Sequence, residues 1–317
     1  MIDHRTYQAG DETQILFLWN ECLTQDPITL LRFRNLVLLD ANFDPEGMQL
    51  AFEGDKLVGC LYAVRRRLPL YKTDLEPDNC WISFFFVHPD HRRKAIGSRL
   101  LEEGMAFLKR EGRKIAFFSS YAPNYFLPGL DATAYPEGLA FLTARGFEIQ
   151  YSPVAMDRSL VGYRYPEKVE QLKRERHREG YSFGSVRLGE LPEVIDFANE
   201  LFNPDWGRAI REGILQNLPM ERVLVARYDK KIVGFCLYGG YEGIPDRFGP
   251  FSVHPDAQGK GLGKILLHEC LQQMRAEGLH GAWFMWTGEK TAAGSLYLKT
   301  GFSVTRKFHV MKRNLEE

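Results

Sequence analysis

Leu262, Leu266, Cys270 and Met274 recur every four positions, a spacing that predicts a helix with one buried face over residues 261–277. Gly278 follows, a residue type that ends helices in the left-handed conformation. Upstream, residues 221–228 and 231–239 are rich in β-branched and aromatic positions and flank Asp229-Lys230, which predicts a hairpin. Further strands are expected at 181–188, 248–254, 281–287 and 302–311, with helices between Leu191 and Leu218 and at 291–300.

The first half of the chain repeats this order between residues 3 and 157. Val87-His88-Pro89-Asp90 returns as Val253-His254-Pro255-Asp256, at an offset of 166 residues. The same offset carries Lys94 to Lys260, Gly97 to Gly263 and Glu111-Gly112 to Glu277-Gly278 without a gap. A two-copy repeat of this length means two related domains, because solenoid periods are far shorter. The length of 317 residues agrees, at ~150 residues per domain. Boundaries are expected at 1–158 for the first domain, 159–180 for a linker helix and 181–317 for the second. The linker segment Pro166–Gly180 alternates acids with bases and reads as a solvated helix.

Charge and cysteine content narrow the function. Lys+Arg and Asp+Glu both number 41, so no general basic field holds a nucleic acid. The five cysteines form no CxxC pair, which argues against a disulfide framework or a zinc site and for reduced thiols in the cytoplasm. No metal is expected. No apolar run approaches the ~18 residues of a membrane span.

The chemistry centres on a glycine loop. In the second copy a strand ends at Val253, and Gln258-Gly259-Lys260-Gly261-Leu262-Gly263 opens the next helix. Such a loop gathers backbone N–H groups at a helix N-terminus, where a pyrophosphate is favoured. Lys264 is followed by Ile265, which breaks a Walker A motif, and no third glycine completes a dinucleotide fingerprint.

Gln258-x-x-Gly261-x-Gly263 resembles the Q/R-x-x-G-x-G/A signature of GNAT acetyltransferases, and Leu296-Tyr297-Leu298-Lys299-Thr300-Gly301-Phe302 resembles their LYxxxGF segment. The resemblance covers nearly the whole chain as two tandem copies. It implies an α/β (α+β) fold class: two GNAT folds, each a mixed, mostly antiparallel twisted sheet flanked by helices. It also implies acetyl-CoA, or another acyl-CoA, as donor substrate and an amine as acceptor. Phe251, Ser252 and Val253 would bond the pantetheine through their backbone. Gln258, Gly259, Lys260, Gly261, Leu262, Gly263 and Lys264 would hold the phosphates.

Acetyl transfer needs a neutral amine, a donor for the developing oxyanion and a proton for the departing thiolate. Tyr297 stands at the family's general-acid position, and Glu242 lies where a base could sit. The first copy departs from the pattern. Its loop, Arg92-Arg93-Lys94-Ala95-Ile96-Gly97 followed by Ser98, carries alanine at the first glycine and arginine opposite Gly259. With Val87 it forms a second possible CoA site. Leu142 replaces the tyrosine there, and eleven additional residues, including Tyr125–Asp131 and Tyr135, precede it. They line a pocket, supply another acid, or merely pack. The expectation is a catalytic second copy and a structural or CoA-binding first copy. A non-catalytic CoA sensor and a Fem-type aminoacyl transferase are the rival functions. Neither nucleic acid nor membrane is expected as a partner.

Overall fold

The computed structural model describes residues 1–315. It divides into two units, one of residues 1–69, 74–153 and the chain from 307 on, the other of residues 70–73 and 154–306.

The first unit opens with β1 (Ile2–Thr6), α1 (Glu12–Cys22) and the short α2 (Leu30–Phe33), which runs into one π-helical turn. Then come β2 (Met48–Glu53), β3 (Lys56–Val64), β4 (Asn79–Val87), α3 (Ile96–Arg110), β5 (Ile115–Phe118), α4 (Pro136–Thr143) and β6 (Glu148–Tyr151). The second unit holds β7 (Val154–Ser159), α5 (Glu167–Arg178), β8 (Tyr181–Ser185), α6 (Leu191–Leu201), α7 (Pro204–Leu215), β9 (Val223–Tyr228), β10 (Lys231–Tyr238) and β11 (Phe248–Val253). It continues through α8 (Leu262–Ala276), β12 (Gly281–Thr287), α9 (Ala292–Lys299) and β13 (Ser303–Lys307), and β14 (Val310–Asn314) returns to the first unit.

The first unit is one seven-stranded sheet in the order β1-β2-β3-β4-β5-β14-β6. Its strands pair antiparallel except β4 and β5, which run parallel. Aromatic and aliphatic side chains of β3 and β4 fill both faces. Tyr62, Phe84 and Phe86 pack toward α1. Leu61 and Ile82 pack toward Leu100 and Leu108 of α3. The second unit has a four-stranded sheet, β11-β10-β9-β8, and a three-stranded sheet, β12-β7-β13. Leu262, Leu266, Cys270 and Met274 of α8 are buried, as their spacing requires. Each fully buried Leu supplies about 1.5–3 kcal/mol of burial before chain entropy. Gly278, at φ 88°, ends the helix, and the Leu279 N–H donates to Met274 O at 3.0 Å.

The structure departs from the sequence reading at the ends of the copies. The single strand expected over 302–311 is two strands, β13 and β14, in different sheets. Phe308 donates its N–H to Pro153 O, and His309 exchanges backbone bonds of 2.7 and 2.9 Å with Leu130. These bonds turn the chain out of one sheet and into the next. Residues 154–158, placed by the repeat in the first domain, belong to the second unit, and residues from 307 on belong to the first. β7 lies between β12 and β13, while β14 lies between β5 and β6. Most of the expected linker is α5, whose Lys173 pairs with Glu269 of α8 at 2.9 Å.

Candidate acyl-transfer sites

The two loops share one backbone. Gln258 has φ −66° and ψ 162°, and Arg92 has φ −65° and ψ 160°. Gly259 and Gly261 lie in the left-handed region at φ 78° and 77°. Arg93 and Ala95 take the same region at φ 60° and 63°. Alanine at the glycine position therefore leaves the loop shape unchanged. A non-glycine residue in this region costs ~1–3 kcal/mol and tends to persist at functional sites. In each copy the loop leads into a 15-residue helix whose first N–H groups have no partner within the helix. Ile96 and Leu262 anchor the two helices in the core.

The second glycine of each signature serves close packing. A Cβ at Gly97 would meet Phe85 at 3.3 Å and Phe141 at 3.4 Å, and one at Gly263 would meet Phe251 at 3.1 Å. At Gly261 a Cβ would lie 2.7 Å from Leu172 of α5. The histidines before the loops belong to the turn. His88 and His254 each accept the N–H of the aspartate two residues on, at 3.2 Å, through Nδ1.

Beside both loops the sheet splays. β4 pairs with β5 from Asn79↔Ile115 to Ile82↔Phe118, and there β5 ends while β4 runs on to Val87. In the second unit, Arg247↔Trp283 is a lone bridge between the β11 and β12 regions.

In the first unit the splay opens a cavity of about 790 Å³. Arg92, Arg93, Gly97 and Ser98 line it, together with Trp19, Ser120, Phe126 and Asp131. Phe126, Leu130, Asp131 and Tyr135 of the inserted segment join the wall, whereas Tyr125 is absent from the described lining. Tyr135 donates its hydroxyl to Asp26 Oδ2 at 2.7 Å. Arg145 stacks 3.6 Å over Phe141 and donates to Ser98 Oγ. Leu142 also faces the cavity and carries no proton to give.

In the second unit Tyr297 is only 6% exposed. Its ring lies 4.5 Å from Phe284 and 5.6 Å from Phe302, and its hydroxyl has no hydrogen-bond partner among the described residues. Burial pushes its phenol well above the ordinary range, so it stays protonated at neutral pH. Glu242, at φ 57°, is paired with Arg247 at 2.8 Å, and Arg247 stacks on Tyr241 and Trp283. Tyr238, buried, and Tyr241, half-buried, candidate pocket walls by sequence, are bonded to Glu277 and Asp205. Trp206 stacks on Phe202. No three His, Cys, Asp or Glu side chains among the described residues form a metal cluster.

Comparison with known proteins agrees with this duplicated geometry. Residues 13–125 match the acetyltransferase (GNAT) family and residues 219–304 match the acetyltransferase (GNAT) domain. The chain is a tandem GNAT N-acetyltransferase. It is therefore an acyltransferase enzyme, built on two mixed α/β folds. A mycothiol acetyltransferase of Amycolatopsis mediterranei is 22% identical over 70% of this chain and 72% of its own length. Another, of Pseudarthrobacter chlorophenolicus, is 25% identical over 72% of this chain and 68% of its own. Among solved structures, a GCN5-related glucosamine N-acetyltransferase region of a fungal multi-domain β-N-acetylglucosaminidase superposes on 98% of this chain. Its TM-score is 0.81 at 16% identity, and this chain spans 38% of that longer one. A tandem GNAT protein from the clavulanic acid pathway superposes with a TM-score of 0.64 at 16% identity, over 99% of both chains. At these identities the structural likeness concerns the fold.

The sequence did not point to Ser83, Asp26 or Arg145. The offset of 166 residues sets Ser83 opposite Gly249, which hid the one against the other.

Proposed function

We propose that this GNAT protein moves an acetyl group from acetyl-CoA to a primary amine of a small molecule or peptide by direct attack, with the donor held in the first unit's cavity. The observation carrying this reading is the cavity of about 790 Å³ whose lining includes both the left-handed loop and the polar side chains of Asp131 and Tyr135. Arg92, Arg93, Lys94 and the N–H groups of residues 95–98 receive the phosphates, with Val87 beside the pantetheine. Tyr135, oriented by Asp26, is the hydroxyl of this cavity that supplies a proton to the departing thiolate. The relatives named for mycothiol acetylation favour a small-molecule acceptor. Five buried free cysteines suit a reducing compartment such as the cytoplasm.

A second reading puts turnover in the second unit, with Phe251–Val253 along the pantetheine, Gln258–Lys264 at the phosphates, Tyr297 as acid and Glu242 as base. The unpartnered, protonated hydroxyl of Tyr297 favours it. In this reading Glu242 would have to leave its ion pair with Arg247 to accept a proton.

Calorimetric titration with acetyl-CoA separates the two. The first reading expects Arg93→Glu to abolish a binding site and CoA release together. Loss of both in Gly263→Glu alone would move the chemistry to the second unit. Absence of binding in the wild type would end the acetyl-CoA reading and revive an aminoacyl donor; binding without CoA release from any amine would fit a sensor.

A further inference from the structure

In the first unit, β3 and β4 slip register at a single point. Tyr62 faces Phe84 and Ala63 faces Ile82, so Ser83 has no residue opposite it. A bulge of this kind re-aims the side chain it carries. Ile82 packs toward α3 and Phe84 toward α1. Ser83, between them, lines the cavity. Its Oγ is sealed from solvent and has no hydrogen-bond partner among the described residues. A buried hydroxyl left unpaired is costly and calls for an explanation.

The second unit supplies the contrast. Its β10 and β11 slip at the same place, between Cys236↔Phe251 and Tyr238↔Phe248, but the residues in the bulge are Gly249 and Pro250. The backbone irregularity is common to both copies, and the hydroxyl belongs to the first alone. Ser83 stands four residues back along β4 from Val87, or about 13 Å at strand rise, with the phosphate loop beyond. The same cavity is lined by Arg93 of that loop and by Ser120.

We infer that Ser83 is a catalytic residue of the first unit, its Oγ–H donating to the carbonyl oxygen of the thioester bound there. This rests on the reading that acetyl-CoA occupies the cavity. As the amine nitrogen bonds to the carbonyl carbon, the carbonyl π pair moves onto oxygen, and Ser83 stabilises that oxyanion without forming a bond to carbon or losing its proton. Collapse of the adduct breaks the C–S bond; Tyr135 protonates the departing thiolate, and the proton that the nitrogen gives up restores the phenol. A donor fixed in place before the reaction needs no reorganisation.

The test is infrared difference spectroscopy of acetyl-CoA labelled with ¹³C at the carbonyl. The band of the first unit is the one that disappears in Arg93→Glu. The expected result is a lowered C=O frequency in the wild type, a return toward the free value in Ser83→Ala, and retention of the shift in Ser83→Thr. CoA release without added amine, by water attack, should fall roughly 10²-fold in Ser83→Ala. CoA lacking the acetyl group should bind both proteins equally, since it has no carbonyl for Ser83 to meet. An identical band and rate in Ser83→Ala, with binding intact, would overturn the assignment while leaving the cavity as donor site. No band assignable through Arg93→Glu would overturn both.

Discussion

Ala95 carries in the first unit the left-handed backbone that Gly261 carries in the second, at φ 63° against 77°, each one residue before its helix. Shape is thus kept where the residue that makes it easy is not. Ala95→Gly should stabilise the protein by about 0.5–1 kcal/mol, the relief of that conformation less the greater freedom of glycine in the unfolded chain. Gly261→Ala should destabilise by more, because its Cβ would also lie 2.7 Å from Leu172. Urea denaturation of the two variants checks both signs.

Tyr297 gives a clean substitution. Its hydroxyl has no hydrogen-bond partner among the described residues, so Tyr297→Phe removes no hydrogen bond. The unfolding midpoint should stay within about 0.5 kcal/mol of wild type. A fall of CoA release in this folded variant would assign the acid to the second unit; an unchanged rate would remove it from the chemistry.

Tyr135→Phe is the matching experiment in the first unit. Loss of the hydroxyl that bonds Asp26 should lower CoA release roughly 10²-fold while the affinity for CoA stays the same. Asp26→Asn, which keeps a hydrogen-bonding side chain but removes the charge, should cost less. Stopped-flow thiol detection and calorimetry read the two quantities separately. Equal loss of affinity and rate would make Tyr135 a wall of the cavity and no more.

His268 predicts an acid limb in stability. Its ring is buried and bonded to the Tyr163 hydroxyl at 2.8 Å. Burial, with Arg158 and Lys264 nearby, pushes its pKa down to about 4. The unfolded imidazole takes a proton near 6.5 and the folded one only near 4, so the unfolded chain gains protons first as pH falls. Stability present above pH ~6.5 is therefore lost between about 6.5 and 4, by roughly 2–3 kcal/mol. His268→Gln should flatten that part of the pH–stability curve; parallel curves for variant and wild type would refute the assignment.

Local signals were legible, and long-range pairings were not. The four-residue spacing of Leu262, Leu266, Cys270 and Met274 located α8 to within a residue or two, because burial of one helix face is written in periodicity. Val253 and Gln258–Gly263 located the loop, since positive φ selects glycine. Ala95 and Arg93 broke that rule, and the loop of the first unit looked weaker in sequence than it is in structure. The run 302–311 read as one strand because nothing local says which sheet a strand joins. Ser83 was invisible for a similar reason: a lone serine in an aromatic strand signals neither a bulge nor a hydroxyl without a partner.

β14 has a consequence in time. A ribosome makes most of the first unit's sheet before the second unit, yet the strand between β5 and β6 follows the second unit along the chain. The first unit therefore waits, with two strand edges unpaired, until residues 154–306 have been made. Unpaired edges invite association with other chains. Synthesis of β14, and not of β6, is the moment at which this enzyme's cavity-bearing sheet closes its last gap.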